Sequence, residues 1–81
     1  MDNGLSEIKK MHQEEGRKKI QALQKKIDTT KYNIEVSKEI MDETASDQHA
    51  DTLRKKNTDR KHAIAGLQKE IRDIEQILEQ E

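Results

Sequence analysis

The chain has 81 residues, of which 41% are charged and 30% hydrophobic, with no Phe, Trp, Pro or Cys. That length allows one small domain, and that composition excludes a globular core of ordinary size, a disulfide framework and a thiolate metal site. With 16 basic against 17 acidic side chains the net charge is −1, which excludes a general polyanion binder.

Met1, Asp2, Asn3 and Gly4 form a lead-in, and Asn3 or Ser6 can cap the first turn that follows. Leu5, Ile8 and Met11 then make a weak helical stripe. A stronger seam begins at Ile20 and runs through Leu23, Ile27, Thr30, Ile34, Ser37 and Met41 in steps of three and four. This is helical spacing with one narrow apolar edge. Carried backwards, the phase lands on Gly16, Gln13 and Lys9 and misses Ile8 and Met11, so the register is expected to change near Gly16. Glycine costs a helix about 1 kcal/mol relative to Ala. A soft hinge and a continuous helix tolerating one glycine both fit.

The next break falls at Thr44-Ala45-Ser46-Asp47. The first seam, extended, would use Thr44, Gln48, Asp51 and Lys55, whereas the next one needs Leu53 and Asn57. Ser46 or Asp47 can cap a new helix, and Asp47 and Asp51 place negative charge near its positive end. The second seam has Asn57, Ile64, Ile71 and Leu78 at a positions and Leu53, Arg60, Leu67 and Ile74 at d positions. A strand cannot produce this pattern, because its side chains alternate with period two. Disordered segments have no reason to keep heptad phase, so residues 17–80 are expected to fold.

Two seams out of phase predict a hairpin in preference to one long kinked rod. The expected fold is all-α: an antiparallel two-helix hairpin with heptad, coiled-coil-like packing. Residues 1–9 would overhang, residues 10–43 and 48–80 would be helices, and residues 44–47 would turn the chain. A reversal near residues 45–46 sets Ile27 against Ile64, Leu23 against Leu67 and Ile20 against Ile71. Ile34 then meets Asn57, Thr30 meets Arg60 or Lys61, and Glu81 lies beside Lys10. Asn57 reads as a register device, a polar a position that prefers a polar group opposite. Arg60 is expected to lay its stem on the seam and hold its charge in water.

Side stripes remain. Tyr32, Val36 and Ile40 recur every four residues outside the first seam, and Ala63 and Ile77 flank the second at g positions. These five are the candidate interface. They either join two hairpins into a four-helix bundle or widen the core of one. The expected partner is a second copy of the chain. A partner protein docking along Tyr32, Val36 and Ile40 is the alternative.

No constellation carries chemistry. Basic side chains gather in residues 17–31 and 54–61, between acidic stretches near the turn and at residues 70–81. No aromatic accompanies them for base stacking, so they read as a solvated face and nucleic acid is not an expected partner. His12, His49 and His62 lack the spacing that puts two imidazoles on one helix face. Gly4, Gly16 and Gly66 stand singly, without a phosphate loop. A slender hairpin has no pocket to desolvate a nucleophile. The reading therefore assigns no catalytic, cofactor-binding or metal residue and no enzyme activity. Without cysteines, an apolar run after Met1 or the ~20 apolar residues of a membrane span, a cytoplasmic, soluble chain with no membrane role is expected.

The run Lys56-Asn57-Thr58-Asp59-Arg60, then Ala63-Ile64, then Glu70-Ile71-Arg72-Asp73, resembles the Tlp family of small acid-soluble spore proteins. Thr30, Asn33-Ile34-Glu35, Ile40 and Thr44 extend the likeness upstream without gaps, over about residues 20–75. The family's usual start, Asp-Arg-x-Asp-Asn-Val, has no counterpart here. Its members also turn polar where this chain continues with Ile74, Ile77 and Leu78. The resemblance implies a small non-enzymatic protein, structural or storage in character, of the spore core in endospore-forming bacteria. Despite that family's thioredoxin-like label, this chain has no Cys-x-x-Cys and cannot perform that chemistry.

Overall fold

Two α-helices, α1 (Asn3–Glu43) and α2 (Asp47–Gln80), make up the computed structural model. It describes the backbone of residues 3–80 and the side chains of residues 9–80. The expected caps at Asn3 and Ser6, the side chains of Leu5 and Ile8, and the pairing of Glu81 with Lys10 lie outside the described residues. The chain is an all-α hairpin, as the two out-of-phase seams require.

Thr44, Ala45 and Ser46 reverse the chain. The Thr44 N–H donates to the Ile40 carbonyl at 2.9 Å and closes the last turn of α1. The Ser46 N–H donates to Thr44 Oγ1 at 3.3 Å, and Ser46 Oγ accepts from the His49 N–H at 3.2 Å. Ser46 is thus the N-cap of α2, and its carbonyl accepts the first helical bond, from the Ala50 N–H at 3.0 Å. Asp47 adds an acid to the first turn, beside the positive end of the helix dipole. No described residue has a positive φ, which explains a reversal made without glycine.

The core is a single file. Leu23, Ile27 and Ile34 of α1 meet Ile64 and Ile71 of α2, with Ile20, Leu67 and Ile74 packed beside them. Ile27, at 1% exposure, is the most deeply buried. Ala50 and Leu53 carry the file to the turn. Buried side chains fall on the heptad positions, because only that edge of each helix faces the other arm. The result is a rod of 69 × 14 × 12 Å.

One expectation about the seam is corrected: its register does not change near Gly16. The helix runs unbroken through Gly16, the second of the two readings that fitted there. The seam also keeps its phase: Gln13 and Gly16 are half-buried while Met11 is 57% exposed. Glycine at position 16 leaves space for the other arm, since a Cβ there would lie 2.9 Å from Leu78 Cδ2 unless that side chain turned aside.

Arg60 makes a bond that the seam pattern did not predict. Its side chain is part-buried, and Thr30 is not its hydrogen-bond partner, since that hydroxyl donates to the Lys26 carbonyl within α1. Arg60 Nη1 instead donates to Ser37 Oγ, nearer the turn. Helical side chains lean toward their own N-terminus. For α2 that direction is the turn, so Arg60 reaches past Thr30 to Ser37.

Candidate functional site

The side chains with a specific geometry form one polar layer across the hairpin. Arg60 Nη1 donates to Ser37 Oγ at 2.8 Å and to Asn57 Oδ1 at 2.8 Å. Ser37 and Asn57 are 5% and 6% exposed, so both oxygens are withdrawn from water. The guanidinium satisfies both acceptors, and no buried side-chain nitrogen or oxygen among the described residues lacks a partner. Asn57 thus finds a polar group opposite, but through Arg60 and Ser37 rather than directly. Such a layer favours one alignment of the two helices, because a shifted register would strand a buried acceptor.

The five candidate interface residues stay largely in water. Tyr32 is 68% exposed, Ile40 40% and Ile77 57%, Ala63 is exposed, and Val36 is half-buried. With Ile20, Ile27 and Ile34 at a positions, Lys19, Lys26, Asn33 and Ile40 occupy g positions of α1. The matching g row of α2 is Lys56, Ala63, Glu70 and Ile77. Lys19 Nζ lies 3.5 Å from a Glu70 carboxylate oxygen, which places the two g rows on the same flank. Ile40, Ala63 and Ile77 therefore share one side of the hairpin. Tyr32 and Val36 continue it around the outside of α1.

Two open grooves run along this flank. One, of about 320 Å³, lies at the open end between His12, Gly16 and Lys19 and the Ile74, Ile77 and Leu78 side chains. The other, of about 560 Å³, lies midway between Ala22, Lys26 and Thr29 and the edge of Leu67. Neither converges polar groups on a point, as a substrate site does. Among the described residues no three His, Cys, Asp or Glu side chains gather where they could hold a metal. Among the described residues no helix is long and apolar enough to cross a membrane. The basic stretch around Lys19 lies against the acidic stretch around Glu70, so the two charge zones meet across the hairpin.

A family model described as small, acid-soluble spore protein Tlp matches residues 12–80. The chain belongs to the Tlp family. The match takes in both helices of the hairpin and the turn between them. It also runs through Ile74, Ile77 and Leu78. No curated protein and no solved structure matches the chain.

Three features of this Tlp hairpin were not singled out from the sequence. Ser37 was counted in the seam but not as the partner of Arg60. Ala50 is buried one heptad before Asn57, and that spacing was there to be read. Gly16 seats Leu78, a role that only the position of the other arm exposes.

Proposed function

We propose that this Tlp-family protein works in the spore core of endospore-forming bacteria as a non-enzymatic structural or storage protein. The observation that carries this reading is the family match spanning nearly the whole hairpin. The architecture supports it: a thin rod has no enclosed cavity in which to desolvate reacting groups. Its polar layer spends its hydrogen bonds inside the fold. The reading includes no cofactor, no metal and no nucleic-acid partner, in keeping with the balanced charge.

The test is quantitative mass spectrometry on vegetative cells, purified dormant spores and germinating spores. The chain is expected in acid extracts of broken spores and at most in traces in vegetative cells. Equal abundance in vegetative cells would overturn the reading. Loss of the chain early in germination would favour storage, and persistence would favour a structural part.

The exposed Tyr32 beside Val36 and Ile40 favours a second reading, in which the hairpin is an interaction module that docks a partner helix. Its mark would be a foreign spore protein cross-linking to a photoreactive group at Tyr32.

A further inference from the structure

We propose that two hairpins pair antiparallel through the flank carrying Ile40, Ala63 and Ile77, about a two-fold axis beside Ala63, to form a four-helix bundle. Surface area is the first argument. The hairpin exposes 6562 Å². A compact monomer of its mass exposes about 5000 Å². The excess is roughly twice the ~800 Å² that one partner contributes to a standard interface. A single file of core residues explains the excess, and a second copy is the partner always present at the same concentration.

The spacing of the α2 g row supplies the second argument. Lys56 and Glu70 stand one heptad either side of Ala63. A two-fold axis at Ala63 therefore sets Lys56 of each copy against Glu70 of the other. Lys56 has no ion-pair partner among the described residues, and Glu70 is only half-exposed beside Lys19. Ile77 stands two heptads beyond Ala63 toward the open end, and Ile40 sits in the last turn of α1 at the turn end. The same axis brings Ile77 of one copy to Ile40 of the other, at both ends of the bundle. In a parallel pair the two-fold axis would run along the rod and set α2 of each copy against α1 of the other, so the Lys56–Glu70 match is made only in the antiparallel arrangement. Ala63 on the axis presents only a methyl group, which lets the helices approach closely.

The open groove beside Leu67 fits the same operation. It lies on the open-end side of the axis, while Tyr32 lies on the turn side by a similar distance. Rotation about the axis carries Tyr32 of the second copy over the groove. Its ring then covers Leu67 and its hydroxyl stays at the wet rim, the usual placement of an interface tyrosine.

The test uses the full chain, which has no native cysteine. Sedimentation equilibrium is expected to give twice the chain mass. Mild oxidation of Ala63→Cys is expected to yield a covalent dimer, while Gln68→Cys, on the opposite flank, does not. Ile77→Asp is expected to weaken association about tenfold or more, the step that corresponds to about 1.4 kcal/mol. Lys56→Glu changes only an exposed side chain and is expected to weaken association by a similar factor with helicity kept in the associated state. Monomer mass at full helicity would overturn the proposal. So would a dimer that cross-links through Gln68→Cys but not Ala63→Cys, or one that Lys56→Glu leaves unchanged.

Discussion

Arg60 of α2 and Ser37 of α1 are joined across the hairpin by a hydrogen bond of 2.8 Å, with Asn57 bound to the same guanidinium nitrogen. Truncating Arg60 would leave two buried acceptors without a donor. Arg60→Ala is expected to destabilise the hairpin by about 1–3 kcal/mol, the cost of buried polar groups left unmade. Ser37→Ala combined with Arg60→Ala should cost less than the sum of the two, and a urea-unfolding double-mutant cycle measures the coupling. Replacing Ser37, Asn57 and Arg60 together by apolar residues is expected to raise stability while loosening alignment. Spin labels at Leu23 and Leu67 would then report a broader distance distribution than in the parent chain.

The two described glycines offer a matched comparison. Nothing lies within 4 Å of a Cβ added at Gly66, whereas one added at Gly16 would meet Leu78 at 2.9 Å. Gly66→Ala is expected to stabilise by about 0.5–1 kcal/mol, the difference in helix propensity. Gly16→Ala should gain clearly less, because Leu78 must turn aside. Leu78→Ala should restore much of the missing gain in the Gly16→Ala background. Thermal melts of the four variants check the ordering, and equal gains at both glycines would refute the close approach.

Ile27 and Ile77 are the same residue type in opposite settings, at 1% and 57% exposure. Ile27→Ala is expected to cost about 2–5 kcal/mol, since it removes buried methyl groups and leaves a cavity. Within a single hairpin, Ile77→Ala should lie within about 0.5 kcal/mol of the parent. Circular dichroism in urea, at concentrations low enough to keep the hairpins apart, separates the two.

Ser46 closes the start of α2 through its hydroxyl and its carbonyl. Ser46→Ala is expected to cost about 1 kcal/mol, and Ser46→Asp should recover most of it, as an equally good cap with the charge the helix start prefers. Hydrogen exchange at the His49 amide gives a local reading. Protection there should fall in Ser46→Ala and return in Ser46→Asp.

Both helices and the reversal between them could be read from residue spacing. Steps of three and four identify a helix with one apolar edge. The mismatch between Thr44 and Leu53 demands that the edge be interrupted. Tyr32, Ile40 and Ile77 fall outside their seams, but residue spacing left open whether they widen the core, and the structure leaves them exposed. Gly16 was misread for a physical reason: a glycine within a helical pattern signals weakness along its own chain. The object that needs its missing Cβ is Leu78, on the other arm.

What the residues alone determined is therefore one-dimensional: where each helix runs, which edge is apolar, where the chain turns, and which family pattern it carries. These depend on periodicity and local capping, which act within a few residues. The meeting of Arg60 with Ser37, the seat of Leu78 over Gly16, and the gathering of Ile40, Ala63 and Ile77 on one flank were settled by tertiary structure. Such contacts depend on the tilt of side chains on antiparallel helices and on which flanks face each other. Both become definite only when the second arm lies against the first.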